Sequence, residues 1–245
     1  MIFSLSLIIG VVTSCSNSAG STEVVEGKDG KDGKDGKDGT NGTNGAEVQD
    51  NLKPAVGKIY YSDGTASYSY FADKKPVGFV VSINADGSVD KIIALAQAPK
   101  TLANGYDTTV AVKTTEDDGE TNTDAMIEAK ISSAAVGWCR KYDAGIKGFE
   151  AGKWYLPARK ELLTIADNED LFTESQLALI KNGYTGSIDR FRNAYYWTST
   201  LYVTSTTSDS NRMFWMVNLK TGEEGRSMKS YEHNVRPMYK FHYDE

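Results

Sequence analysis

Short segments rich in β-branched and aromatic residues predict β-strands at the start of the chain's folded part. Two pairs of such segments flank an Asp-Gly dipeptide: residues 57–61 with 65–71, and residues 77–83 with 88–95. Because Asp-Gly readily adopts the positive φ of a tight turn, each pair predicts a β-hairpin. Residues 97–123 are polar, contain glycine and lack a clear period, which indicates a loop.

Apolar residues spaced three or four apart then predict helices. The first has Thr123 or Asp124 as its N-cap and ends at Gly145. Its apolar face comprises Ile127, Ile131, Ala134, Ala135, Trp138, Cys139 and Tyr142. We expect this face to belong to the core.

Two further helices are predicted downstream. One begins at Pro157, a residue favoured in the first helical turn. The other uses Thr173 and Gln176 as a capping box and stops at Asn182-Gly183. The side chains expected to be buried are Leu162, Leu163 and Ile165 in the first of these helices, and Leu177 and Ile180 in the second.

The last part of the chain returns to strand-like segments, at residues 195–202, 213–219 and 234–241. An order of strands, then helices, then strands indicates an α+β fold, with mixed or antiparallel sheets and about three helices. The long loops at 97–123, 203–211 and 221–233 are the expected carriers of specificity.

The N-terminal residues indicate export and lipid anchoring. Residues 2–12 form an apolar run of signal-peptide length, shorter than the about 20 residues needed to span a bilayer. The run ends in Val-Thr-Ser-Cys, which resembles a bacterial lipobox. We therefore expect a signal peptide at 1–14, lipidation of Cys15 and a polar tether at 15–26, with the protein held on the bacterial envelope, at the outer membrane and facing outward. The alternative is an ordinary secretory signal followed by an incidental cysteine.

Every third residue from 27 to 45 is glycine. This Gly-x-y period is typical of collagen, whose axis accommodates only glycine. The repeat contains no proline and has only six triplets, which favours a solvated spacer over an independent triple helix. A homotrimer formed through residues 27–45 remains the alternative.

Charge and cysteine content narrow the function classes. The net charge is −6, but residues 1–50 contain four Lys and eight acidic residues, which leaves 23 basic against 25 acidic residues downstream. This near-neutral balance argues against nucleic acid as a partner. Two cysteines and two histidines offer too few ligands for structural zinc, so no metal or other cofactor is expected.

A set of separate motifs carries a resemblance to a known family. They include Trp154-Tyr-Leu156-Pro157 followed by Glu161, Tyr-Trp-Thr-Ser-Thr at 196–200, Phe-Trp-Met-Val-Asn at 214–218, and Val-Arg236-Pro237. Together they resemble the Lcl C-terminal domain family, named for collagen-like bacterial adhesins. The resemblance covers a domain at 51–242 and implies a fold related to C-type lectins and formylglycine-generating enzymes. It also suggests that Arg236 is a buried partner of Glu161.

Aromatic and basic residues near the C-terminal strands are the candidate ligand contacts. Trp197 and Trp215 could stack on sugar rings, with Asn218 as a hydrogen-bonding neighbour. Arg190, Arg192, Arg226 and Lys229 could recognise sulfated or carboxylated polymers. The alternative is that the tryptophans pack in the core and the basic residues form a solvated surface.

These observations favour a non-catalytic adhesion or glycan-binding domain that meets host or environmental glycans or surface proteins. A structural envelope component is the first alternative. An oxidase of the formylglycine-generating type is the second, although those enzymes use paired cysteines and only Cys139 lies in the folded part. Acidic residues at 167–170 could suggest calcium but lack the EF-hand pattern, and a solvated turn between helices is preferred.

Overall fold

The structure is a computed structural model that describes residues 52–105, 112–203 and 213–243. Several predicted features lie outside these residues: the signal peptide at 1–14, the lipidated Cys15, the tether at 15–26, the spacer at 27–45, residue 51 and most of the loop at 203–211.

The described residues form ten strands and four helices. The strands are β1 (Ile59–Tyr61), β2 (Ala66–Ser67), β3 (Pro76–Ile83), β4 (Val89–Ala94), β5 (Leu102–Ala103), β6 (Tyr195–Leu201), β7 (Met213–Asn218), β8 (Glu224–Met228), β9 (Glu232–His233) and β10 (Met238–Lys240). The helices are α1 (Gly119–Glu128), α2 (Ala134–Lys141), α3 (Arg159–Asp167) and α4 (Glu169–Lys181).

These strands pair into three antiparallel sheets. The largest has the order β10-β4-β3-β1-β2, a second contains β6-β7-β8, and β5 pairs with β9. All four helices lie in sequence between β5 and β6. The predicted α+β class is therefore confirmed, with four helices in place of about three.

Both predicted N-terminal hairpins are confirmed. In the first, Ile59 of β1 lies opposite Ser67 of β2, although β2 is only two residues long. In the second, Phe79 of β3 lies opposite Ile93 of β4. The glycine of each Asp-Gly turn has a φ near +86°, a conformation that a side chain would strain.

Strand β3 is apolar on both faces because both faces of the large sheet are covered. Phe79 packs in a cluster with Phe172 of α4, while Val80 belongs to a second cluster that contains Trp154. A run of apolar residues without alternation is the expected pattern of a strand buried on both sides.

The first predicted helix was wrong in its start, end and continuity. The chain forms α1, capped by Asp118, and a separate α2, capped by Ser133, whose hydroxyl accepts a hydrogen bond from the Val136 amide at 3.0 Å. Between them Lys130 has a φ of +55°. Ile127 is 46% exposed, so it does not belong to the core.

The first downstream helix was predicted closely, with Leu162 and Ile165 buried as expected, and the second was predicted correctly only at its C-terminal end. Helix α3 begins at Arg159, two residues after Pro157, and α4 stops at the predicted Asn182-Gly183. However, α4 begins at Glu169, immediately after α3, so Thr173 lies inside it. Its buried apolar residues are Phe172 and Leu179, and the predicted Ile180 is 37% exposed.

Of the C-terminal strands, β6 and β7 match the prediction closely. The segment 234–241 is shorter than predicted, because only Met238–Lys240 pair as β10. The predicted loop at 221–233 contains β8 and β9, which the sequence pattern missed. Strand β8 has the sequence Glu-Gly-Arg-Ser-Met, without the β-branched residues that signal a strand, and pairs only with β7.

His233 links β9 to the core. Its ring meets Trp197 edge to face at 4.6 Å between centroids, and its Nε2 lies 2.9 Å from the Ser227 hydroxyl. Burial lowers the pKa of His233 below its usual 6.5. Near and below pH 6.5, His233 therefore binds fewer protons in the folded state than in the unfolded chain. Its contribution to the free energy of unfolding should fall as the pH drops below about 6.5.

Chemical denaturation at pH 7.5 and 5.5 tests this expectation. The His233→Gln variant should lose part of the decrease in unfolding free energy that the parent chain shows on acidification. The other histidine of the chain, His242, is exposed and supplies the matched control as His242→Gln. An unchanged acid response in His233→Gln contradicts the expectation.

Candidate functional site

A cleft of about 480 Å³ opens beside the large sheet. This volume falls within the roughly 300–1,000 Å³ typical of small-molecule sites. Four parts of the chain contribute its lining: the start of β3, the segment after β4, the end of α2, and the loop after α4. The lining residues that matter for its chemistry are Gln97, Trp138, Tyr142, Asp143, Tyr184, Ser187 and Asp189.

The floor of the cleft is the chain segment that follows β4, and it is fixed from two sides. The Asp189 amide donates to the Leu95 carbonyl at 3.0 Å, and the Gln97 amide donates to the Asp189 carboxylate at 2.9 Å. From behind, the Arg236 guanidinium donates to the carbonyls of Ala94 and Leu95, the first at 2.8 Å. These bonds hold the floor in one position before any ligand arrives.

One wall of the cleft comes from α2. Trp138 and Tyr142 are four residues apart, so they lie one above the other on the same side, with ring centroids 5.6 Å apart and planes inclined by 44°. Trp154, fully buried, meets Tyr142 edge to face at 4.8 Å. The two wall rings are partly exposed, and their position is supported by the core.

A second part of the lining is the loop after α4, with Tyr184, Ser187 and Asp189. The Tyr184 amide donates to the Leu179 carbonyl at 3.1 Å, and its ring meets Tyr70 edge to face at 5.8 Å. At the rim, the exposed Asp143 accepts a hydrogen bond from the Gly145 amide at 2.7 Å, which closes a tight turn after α2.

The cleft combines flat apolar surfaces with hydrogen-bonding groups. Burial raises the pKa of Tyr142 to about 12 and that of Tyr184 above its usual value. Both phenols are therefore neutral near pH 7 and can donate or accept. Aromatic faces, hydroxyls and carboxylates together suit a polyhydroxylated ligand of about one sugar ring.

Trp197, predicted as a ligand contact, is fully buried. Its indole Nε1 donates to the Leu102 carbonyl at 2.8 Å, and its ring packs against Phe214 and His233. A ring without exposed surface cannot stack on a sugar. The prediction of Trp197 as a binding residue was therefore wrong, and the core alternative describes it correctly.

Asn218 and Lys229 are also buried, at 7% exposure each, which corrects their prediction as ligand contacts. The Asn218 amide group donates to the Asn193 side chain at 2.9 Å and accepts from the Lys220 amide at 3.0 Å. Asn218 therefore organises the turn from β7 to β8. Lys229 offers its carbonyl to the Gly105 amide at 3.0 Å and joins the segments that follow β5 and β8.

Trp215 and Arg226 come together on the small sheet, where they lie opposite each other on β7 and β8. The Arg159 guanidinium lies 4.0 Å from the Trp215 ring centroid, and Tyr202 meets the same ring edge to face at 5.1 Å. Arg226 stacks on Tyr202 at 4.6 Å and donates to its hydroxyl at 2.5 Å. Trp215 is partly exposed, but one of its faces is already occupied by a cation.

Arg190 and Arg192 are exposed in the loop that also carries Asp189. In the orientation of the Gln97 amide that satisfies its neighbours, its oxygen accepts from Arg192 Nε at 2.9 Å and Nη2 at 3.2 Å. Arg192 therefore contacts Gln97, which lines the cleft, whereas Arg226 belongs to the small sheet. The structure does not bring the predicted basic residues into one patch.

The six residues of the family-like motif are all buried: Trp154, Leu156, Pro157, Glu161, Arg236 and Pro237. The suggested pairing of Glu161 with Arg236 was wrong. The carboxylate of Glu161 forms an ion pair with Lys91 at 2.8 Å and accepts from the Ala158 amide at 2.7 Å and the Tyr155 hydroxyl at 3.1 Å. Arg236 instead holds the floor of the cleft and stacks on Phe191 at 4.3 Å.

Cys139 is fully buried, and burial raises the pKa of its thiol, so the thiolate is disfavoured. Within residues 52–105, 112–203 and 213–243, no three His, Cys, Asp or Glu side chains are grouped to hold a metal ion. None of the helices in that part of the chain is both long enough and apolar enough to span a membrane.

The sequence pattern did identify Trp138 and Tyr142, but as core residues. Their helical spacing shows that they share a face and cannot show whether another element covers it. The only available signal was a pair of large aromatic residues near the end of a helix, followed at once by an aspartate.

No protein-family model matches this chain, and no curated protein is significantly similar to it in sequence.

Proposed function

We propose that this protein is a lipid-anchored bacterial surface protein whose folded domain is a non-catalytic adhesion module, binding a saccharide in the cleft beside α2. The lipobox-like end of the apolar run at 2–12 and the Gly-x-y repeat support attachment and display. About 19 spacer residues at roughly 3 Å each would place the domain some 50–60 Å from the lipid surface.

The observation that carries the proposal is the composition of the cleft. Trp138 and Tyr142 line the cleft with adjacent rings, and Ser187 and Asp189 add polar side chains from the loop after α4. Sugar rings have an apolar face and a polar rim, so a site for them needs both kinds of surface. The buried bonds of Arg236 and Asp189 preorganise this cleft, which reduces the entropy lost on binding.

The resemblance to the Lcl C-terminal domain family leads us to propose further that the domain has a fold related to C-type lectins. The same motifs that carry the resemblance build the cleft from behind, through Trp154 and Arg236. A binding role does not require the chemistry of the formylglycine-generating enzymes, and the buried Cys139 does not favour it.

Binding of the unlipidated full chain, carrying Cys15→Ser, to a panel of immobilised neutral, amino and acidic saccharides tests the proposal. We expect saturable binding to at least one class, competed by the free sugar and quenching or enhancing tryptophan fluorescence. The absence of binding to every class would count against an adhesion module of this kind.

A further inference from the structure

The charged side chains that line the cleft are acidic. Among the described residues of the lining there are two carboxylates, Asp143 and Asp189, and no lysine or arginine. Asp143 directly follows Tyr142, and Asp189, in the loop after α4, interacts electrostatically with Tyr142. A ligand in the cleft therefore meets two carboxylates, from two different segments, beside its aromatic surface.

One oxygen of each carboxylate accepts a hydrogen bond from a backbone amide. The Asp189 oxygen Oδ2 accepts from the Gln97 amide, and the Asp143 oxygen Oδ1 accepts from the Gly145 amide. A carboxylate only accepts hydrogen bonds and has room for several donors. Groups that contact these side chains must therefore be donors, which a carboxylate or sulfate group of a ligand cannot be.

Two nearby arginines are bonded to the floor of the cleft. The exposed Arg192 donates to the Gln97 side chain, and Arg236, at 1% exposure, donates to the carbonyls of Ala94 and Leu95. Neither arginine belongs to the cleft lining. Arg236 offsets part of the charge of Asp189.

We propose that the ligand of this cleft carries a protonated amine, so that the natural class is an amino sugar or a sugar-sized ammonium compound. An ammonium group can lie against the faces of Trp138 or Tyr142, where the aromatic quadrupole attracts a cation, while donating to Asp143 or Asp189. This inference rests on the proposed saccharide-binding function and names the ligand class for that same site. It disfavours the sulfated and carboxylated polymers that the basic residues suggested.

Titration calorimetry with four probes tests the ligand class: glucosamine, N-acetylglucosamine, glucose and glucuronate, all at pH 6, where a primary amine is protonated. We expect glucosamine to bind at least fivefold more tightly than glucose, and glucuronate to bind more weakly than glucose. Asp189→Asn and Asp143→Asn should each remove most of the preference for glucosamine. Asparagine keeps an oxygen for the Gln97 or Gly145 amide, but Asp189→Asn also removes a carboxylate that interacts with the buried Arg236. A thermal melt must therefore show that each variant remains folded.

The control variant is Asp167→Asn, which removes an exposed carboxylate at the end of α3, outside the cleft lining. It should leave all four affinities unchanged. Equal affinities for the four probes, or a preference for glucuronate, would overturn the ammonium proposal while saccharide binding itself stands. If none of the four sugars binds and the saccharide panel is also negative, both proposals fail.

Discussion

Replacing Glu161 with alanine should lower the free energy of unfolding by about 3–5 kcal/mol, the range found when one partner of a buried ion pair is removed. Glu161 is 5% exposed and its carboxylate joins Lys91, Tyr155 and the amide that opens α3. Burial raises the pKa of Glu161, although Lys91 lowers it. Burial alone would lower the pKa of Lys91, but Glu161 raises it above its usual value.

Double-mutant cycles distinguish the observed pair, Glu161 with Lys91, from the pair suggested by the sequence, Glu161 with Arg236. Lys91→Met and Glu161→Ala should show a coupling energy of about 1–3 kcal/mol in urea denaturation, since the two side chains are in contact. Arg236→Met and Glu161→Ala should be additive within about 0.5 kcal/mol. Strong coupling between Arg236 and Glu161, or a Glu161→Ala cost below about 1 kcal/mol, would show that the network has been wrongly assigned.

Replacing Trp138 with alanine should weaken saccharide binding by at least about 2 kcal/mol, or roughly thirtyfold in Kd, as for a tryptophan that anchors an interface. The physical reason is the loss of one of the two adjacent ring faces in the cleft. Trp138→Phe keeps a smaller ring and should recover part of the affinity. Fluorescence or calorimetric titration with the tightest-binding sugar measures the change.

Trp215→Ala is the matched control. Both tryptophans are partly exposed, but one face of Trp215 is covered by Arg159 and the residue lies on the small sheet. We expect its removal to change the affinity less than twofold. Because Trp138 also contacts the core, circular dichroism and a thermal melt must show that Trp138→Ala remains folded. A reversed result, with Trp215 required and Trp138 dispensable, would move the site to the small sheet.

Local signals predicted the parts of this fold that depend on a few neighbouring residues. The two Asp-Gly hairpins form as expected because the turn and its flanking strands are contiguous. The end of α4 at Asn182-Gly183 follows for the same reason, with Gly183 at a φ of +80°. The order of elements then sufficed for the α+β class.

Features that depend on distant residues could not be predicted in this way. Helical spacing placed Trp138 and Tyr142 on one face, but their surroundings come from residues 94–99 and 184–189. Likewise, Glu161 and Arg236 were both correctly expected to be buried, yet their partners depend on the strand register. Strand β4 places Lys91 beside Glu161, and the segment after it supplies the carbonyls that Arg236 binds.

The prediction of Trp197 as a ligand contact was wrong for a related reason. Trp197 and Trp215 belong to neighbouring strands of one sheet, and alternation along a strand shows only that successive residues face opposite sides. Trp197 faces a core cluster with Phe214, whereas Trp215 lies on the other face of the sheet, near Arg159. The Trp197 side is covered by α1, α2 and the segment around Leu102, and Arg159 of α3 covers part of Trp215; none of these segments belongs to the strand sequences.

A nitrogen-15 NMR titration that follows the indole N–H signals tests most directly whether the cleft beside α2 receives the ligand. The chain has four tryptophans, and single Trp→Phe variants assign each signal. We expect the signal of Trp138 to shift most when the binding sugar is added, and the signal of Trp215 to stay in place. A titration that moves Trp215 and leaves Trp138 unchanged would contradict this expectation.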